Sequence, residues 1–203
     1  MRLKCSQSIQ RTSARVPRRI FTRLLATVSL AVLMGAPLAV SAQGGETSLE
    51  RSVKAAFLYK FLGYTEFPGS AFGDAAGALV IGVVGADELA DELARIVSGR
   101  TVQGRPVAVK VLPDARALAG VHLLFVGGSD DGRVAALLRL AQPVPVLVVT
   151  ESEQGLQHGS VINFKLVEER VRFDVSLAAA NRNRVKLSSR LLTVADHVIR
   201  GVP

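Results

Sequence analysis

Three histidines, His122, His158 and His197, are the side chains of this chain best suited to hold a metal or move a proton near neutral pH. They lie far apart in the sequence, and none has a second histidine or a carboxylate at helical ligand spacing such as i, i+4. No metal or other cofactor is expected. Serines are plentiful, but none stands in a G-x-S-x-G elbow that would expose it as a nucleophile. Glu168 and Glu169 are adjacent acids between two strand-like runs, where solvation keeps a carboxyl from the raised pKa an acid catalyst needs. No catalytic residue is assigned, and a hydrolase is argued against by the same inventory.

Two glycine-bearing turns, "GVVGAD" (82–87) and "GGSDDG" (127–132), each follow an apolar run. At the carboxyl end of a parallel strand such a turn is where a ligand binds, and a following helix N-terminus favours phosphate. Here Asp87, Asp130 and Asp131 occupy those ends and would repel an anion, and neither turn matches G-x-G-x-x-G or the P-loop. The structural reading, turn plus helix cap, is preferred. A neutral or cationic small molecule bound at the Gly85 and Gly127 turns, in a sensor module working with a sensor kinase, is the alternative.

The remaining chemical signal is charge. The 203 residues carry 25 Lys and Arg against 17 Asp and Glu, a formal +8. Seven of the bases (Arg2, Lys4, Arg11, Arg15, Arg18, Arg19 and Arg23) precede residue 42, and no acid does. They lead into the apolar run Leu24 to Val40 and a small-residue site at Val40 and Ala42, the pattern of a secretory signal peptide. Residues 1–42 are therefore expected to be removed near Ala42, leaving a mature domain, 43–203, in the periplasm with 18 bases against 17 acids. At 17 residues the run is short for a retained span, which needs about 20. The pair Arg18–Arg19 also suits a twin-arginine signal, which ranks second to the general export route. The only cysteine, Cys5, lies in the leader, so the mature chain has no disulfide.

The mature chain begins with a helix over Leu49 to Phe61, with Thr47 or Ser48 as cap. Apolar runs at 78–85, 122–128 and 144–150, with an alternating run at 105–112, are interspersed with amphipathic segments at 87–96 and 129–142. Strands apolar on both faces, alternating with helices, predict an α/β fold: a mostly parallel sheet with helices on both faces. Ile162–Leu166 and Val171–Val175 alternate with polar residues and predict an antiparallel hairpin. A short helix from Ser176 to Arg182 and a final helix carrying Leu187, Leu191, Leu192, Ala195, Val198 and Ile199 on one face complete the domain.

Between those last helices lie Arg182, Arg184, Lys186 and Arg190, with no acid among them. A nucleic-acid surface is excluded by export and by the near-neutral mature charge. A solvated face is the default reading. The functional reading is a protein-docking face, because the guanidinium fork pairs with carboxylates and stacks on aromatic rings. Tyr59 and Tyr64, at the end of the first helix, are either core rings with a wet tip or further contact residues, the core reading being favoured.

Two segments, "VKAAFLYKFLGYTEFP" (53–68) and "GSVINFKLVEERVRFDVSLAAANRNRVKLSSRLLTVADHV" (159–198), resemble the start and end of the YfiR family, the DUF4154 domain. The matching features are A-A-F-L-x-x-F before aromatic-Pro, I-N-F, V-R-F before an alanine helix, and K-x-S-S-[RK]-L-L. The resemblance implies a periplasmic, non-enzymatic repressor. It would bind the periplasmic domain of an inner-membrane diguanylate cyclase and be relieved by an OmpA-like outer-membrane lipoprotein, so controlling cyclic-di-GMP and biofilm behaviour. Some relatives pair with a sensor kinase, and a homodimer is a further association the sequence allows. Several relatives carry cysteine pairs that this chain lacks. The family often places Gly where Arg184 stands, which leaves Asn183 as the residue able to take a left-handed conformation instead.

Overall fold

The computed structural model describes residues 46–73, 77–114, 116–141 and 144–201. The expected leader and its cleavage site lie outside them. Helix α1 spans Ser48–Gly63 and is followed by the two-residue strand β1, Thr65–Glu66. The order then runs β2 (Leu79–Val84), α2 (Asp87–Val97), β3 (Thr101–Val102), β4 (Arg105–Val111), β5 (Leu123–Val126), α3 (Asp131–Leu140) and β6 (Leu147–Thr150). The chain continues as β7 (Ile162–Val167), β8 (Arg170–Ser176), α4 (Leu177–Arg182), β9 (Lys186–Leu187), α5 (Ser189–Val194) and β10 (His197–Ile199).

The main sheet has the order β10-β8-β7-β6-β5-β2-β4-β3, and its central five strands, β4-β2-β5-β6-β7, are parallel. Numbered among themselves these five run 2-1-3-4-5, a doubly wound order with its switch point between β2 and β5. Residues of β2, β5 and β6 are buried throughout, as strands covered on both faces must be. Alternate side chains divide the core. Leu79, Ile81, Val83, Leu123 and Phe125 pack with α1, α2 and α4, whereas Val80, Val84, Leu124 and Val126 pack with α3 and the 112–121 connection.

Helix α1 is seated by aromatic packing. Phe57 and Phe61 meet Phe164 of β7 and Phe173 of β8, with ring centroids 5.0 to 6.1 Å apart. Such pairs add about 0.5–1.5 kcal/mol beyond the apolar area they bury. Thr47 caps the helix by accepting the Glu50 N–H, and Arg51 and Ser52 tie it to Glu88 and Glu92 of α2.

The β7–β8 hairpin forms as its alternation predicts, with Phe164 opposite Phe173. Its turn residues, Glu168 and Glu169, both have positive φ, 49° and 59°, the backbone that a two-residue hairpin turn requires. For a non-glycine residue that conformation costs about 1–2 kcal/mol.

Two expectations are corrected. The final helix ends at Val194; Ala195 is extended, and His197–Ile199 forms β10, parallel to β8. Pairing wins there because β8 would otherwise present a bare edge, and Val198 and Ile199 are β-branched residues that fit a strand. The Asp196 N–H donates to Phe173 O at 2.9 Å, and the Asp174 carboxylate accepts from the His197 N–H at 3.1 Å. Secondly, Asn183 has φ −80° and caps α4, while Arg184 itself takes the left-handed conformation, at φ 55°. Asn183 is held by its side chain, whose amide donates to Val146 O at 3.0 Å. Arg184→Gly is expected to be more stable than Arg184→Ala by about 1 kcal/mol in urea unfolding, since both lose the side chain and only glycine escapes the strain.

Candidate functional site

At the carboxyl ends of β2 and β5, where a doubly wound sheet opens to ligands, the two turns approach closely. Gly85 (φ 72°) and Gly127 bring their turns into backbone contact, and a Cβ added at Gly127 would stand 2.7 Å from Ala86 Cβ and 3.0 Å from Gly85 O. Glu151, just past β6, reaches across the opening. Its Oε1 accepts the Gly128 N–H at 2.8 Å, and its Oε2 accepts from Lys54 Nζ at 2.6 Å. A carboxylate of the chain thus occupies the place of a ligand's anionic group.

Lys54 is the buried counter-charge, with Glu50 at 2.7 Å and Glu46 at 3.1 Å besides Glu151. Burial works against its charged form, but the hydrogen bonds to Glu151 and Glu50 outweigh it and hold the ammonium well above its usual range. A lysine so fixed is a structural cation, not a base. Lys54→Met leaves three carboxylates facing one another and is expected to cost about 3–5 kcal/mol in urea unfolding, with Lys54→Met/Glu151→Gln less damaging than Lys54→Met alone.

The histidines separate. His158 is half-buried. His122 is buried between Phe67 and Phe72, with its Nδ1 accepting the Val80 N–H at 3.2 Å. Burial, and then the charge of Arg105, lower its pKa. Its folded value lies below the ordinary 6.5, so the stability it supplies is complete above pH 6.5 and is lost as pH falls through that lower value. His122→Asn, whose Oδ1 can take the same N–H, should flatten the decline in melting temperature between neutral and mildly acidic buffer.

His197 gains partners that its spacing did not reveal. Its Nδ1 lies 3.1 Å from Asp174 Oδ1 and 3.0 Å from Asp196 Oδ2. These three atoms have the makings of a cation site, and the cation at their focus is Lys165: its Nζ is 2.8 Å from Asp174, 2.6 Å from Asp196 and 3.0 Å from His197 Nδ1. The bond to Lys165 holds the Asp196 carboxyl below its usual range. The cluster clips β10 to β8.

The residues expected to dock a partner fall into two places. Arg182 ends α4, Arg184 and Lys186 follow it, and Arg190 stands in the first turn of α5; all four are exposed. Among the described residues Arg182, Lys186 and Arg190 have no carboxylate within 4 Å. Strand β9 pairs with β1, setting Lys186 opposite Glu66, and the Ser188 N–H donates to Tyr64 O at 2.9 Å. Tyr64, 39% exposed, therefore belongs with the basic connection. Tyr59 does not. It packs half-buried against the core, with the Arg100 guanidinium 5.5 Å from its ring and its hydroxyl donating to Thr101 O at 3.5 Å.

A second surface was missed from the sequence. An open groove of about 880 Å³ runs between the first half of α1 (Leu49, Val53, Phe57) and the hairpin (Leu166, Val171). Leu49 is 74% and Leu166 54% exposed. No local signal marked it: Leu166 continues the alternation of Ile162 and Phe164, and Leu49 the helical spacing of α1.

The chain is thus a doubly wound α/β domain with Glu151 set across its crevice and with apolar and basic surfaces exposed. The chain belongs to the YfiR/HmsC-like family, whose DUF4154 profile matches residues 51–196. This is a regulatory, non-catalytic family of the periplasm concerned with cyclic-di-GMP signalling and acting through protein partners. No curated protein matches the chain. Among solved structures it is similar to a conserved domain protein from Vibrio cholerae O1 biovar El Tor, at 10% identity and a TM-score of 0.51, covering 73% of this chain and 60% of that one. It also matches an ABC domain in complex with L-Trp from Streptococcus pneumonia, at 10% identity and a TM-score of 0.48, covering 71% and 60%. The chain thus spans less than two thirds of either structure, and at 10% identity the likeness to the first is one of fold alone. Among the described residues no helix is long and apolar enough to cross a membrane.

Proposed function

We propose that this protein restrains an inner-membrane signalling enzyme, a diguanylate cyclase, by binding its periplasmic domain through the α4–β9–α5 connection. The observation that carries this reading is the set of exposed cations, Arg182, Lys186 and Arg190, with no carboxylate within 4 Å among the described residues, beside the exposed ring of Tyr64. A partner offering carboxylates and an aromatic or apolar centre would satisfy charges that the fold leaves to water. Arg184, placed by a strained backbone, fixes the bend on which the others are carried.

Restraint follows if the protein binds the inactive arrangement of the cyclase more tightly than the active one, since equal affinity would shift nothing. An OmpA-like outer-membrane lipoprotein that competes for the repressor would release the enzyme. A sensor kinase in place of the cyclase would use the same surface. The small-molecule reading is less favoured, because Glu151 already takes the Gly128 N–H beside the Gly127 turn.

Charge reversal at Arg184 and Arg190 together should weaken binding to the purified periplasmic domain by tenfold or more, about 1.4 kcal/mol. The melting temperature should stay close to that of the unaltered protein. Unchanged affinity for both the cyclase domain and the lipoprotein would remove the basic connection from the interface.

A further inference from the structure

His122 serves the fold only as an uncharged ring. It stands immediately ahead of β5 and continues the sheet ladder with its side chain: Nδ1 accepts the Val80 N–H at 3.2 Å, while the His122 N–H donates to Val80 O at 2.9 Å. An imidazolium carries hydrogen on both ring nitrogens and can accept at neither. The residue is 3% exposed, and its ring lies against Phe67, edge-on with centroids 5.7 Å apart, and Phe72, at 4.8 Å. Phe72 already lies under one cation, the Arg105 guanidinium, 4.1 Å from its centroid.

The elements around the ring offer a proton almost nothing. The 67–72 segment brings aromatic carbon, β2 the Val80 N–H, and the start of β6 the Leu147 N–H, which is spent on His122 O at 2.9 Å. From β4 comes Arg105, a charge of the same sign as an imidazolium. The connection ahead of β5 brings the Gly120 carbonyl, which favours the charged ring but is outweighed by burial and by Arg105. The charged pair of that connection, Asp114 and Arg116, stands 3.9 Å apart and each answers the other. Among the described residues no carboxylate lies within 4 Å of the ring to balance a proton.

The aromatic seat is joined to the basic connection by a short path. Phe67 follows β1 directly, and β1 holds β9 by setting Thr65 opposite Leu187 and Glu66 opposite Lys186. The Ser188 N–H adds its bond to Tyr64 O at 2.9 Å. We propose that His122 is an acid-sensitive latch: proton uptake turns its ring out of the seat, frees Phe67 and Phe72, and loosens the β1–β9 ribbon, so that α4–β9–α5 loses its grip on a partner. The consequence for binding rests on the docking reading given above, whereas the latch is a property of the chain alone. Its direction follows from linkage. The opened ring titrates near the ordinary 6.5 and the seated ring lower, so opening gains up to about tenfold per pH unit below 6.5. A partner that binds the latched form opposes the proton by the same coupling.

The test pairs amide exchange on the protein alone with affinity for the purified periplasmic domain of the cyclase, each at about pH 7.5 and about pH 5. Corrected for intrinsic rates, exchange at the Val80 and Ser188 amides should report opening about fivefold or more favourable at the acid end, while amides in the middle of β5 and β6 keep their protection. The unaltered protein should bind the domain about threefold or more weakly there. In His122→Asn, whose Oδ1 takes the Val80 N–H without titrating, the opening should ignore pH; the ratio of the two affinities cancels any titration of the partner domain. His158→Asn and His197→Asn should behave as the unaltered protein. Arg105→Gln, which removes the neighbouring charge, should move the transition up toward 6.5 and serves as the readout if His122→Asn fails to fold. Val80 and Ser188 amides indifferent to pH, or a loss of affinity that His122→Asn shares in full, would overturn the inference. A domain that binds no better at neutral pH than a charge-reversed control refutes the docking reading, and the amide exchange still decides the latch.

Discussion

The ammonium of Lys54, buried beneath the carboxylates of Glu46, Glu50 and Glu151, is the contact on which the rest of this molecule depends. Three acids around one cation make a poor source of net stability, because their desolvation offsets much of the attraction. They make a strong positional constraint, since removing the lysine leaves three partly buried carboxylates facing one another without balance. The constraint joins α1 to the carboxyl end of β6, across 97 residues of chain, and so fixes the first element of the domain over the switch point of the sheet.

From that placement the available surfaces follow. A doubly wound sheet ordinarily offers its crevice to a small ligand; here Glu151 takes the Gly128 N–H and closes it. The aromatic contacts of Phe57 and Phe61 with the hairpin hold the same helix from below. Two open surfaces lie at the ends of α1: a groove beside its first half, and the β1–β9 ribbon with its basic connection beyond Tyr64. A fold so arranged leaves an apolar groove and a basic connection open to solvent, beside a crevice that the Glu151 side chain spans.

Much of the framework was legible in the sequence. Continuous apolar runs marked the parallel strands, and the alternation on either side of Glu168 and Glu169 marked the hairpin. The rest was hidden for physical reasons. His197–Ile199 followed a helical spacing and became a strand because the edge of β8 was free, a fact of tertiary pairing. Lys54 carries no mark that it meets Glu151, nor Lys165 that it meets Asp174 and Asp196, since contacts at long separation leave no period in one sequence. Of the site, the basic connection named from the sequence is exposed; of the two rings for which a core seat was favoured, Tyr59 packs at the core edge and Tyr64 stands beside that connection, 39% exposed. The groove went unread because Leu49 and Leu166 each fitted a local pattern whose apolar positions are normally buried.

Regulation by binding without turnover is most directly tested by measuring intracellular cyclic-di-GMP in cells lacking the gene, with the protein then restored at graded doses. A repressor predicts a raised level on deletion and a fall that tracks the number of copies supplied until the partner is saturated. A level that deletion leaves unchanged or lowers would contradict the account.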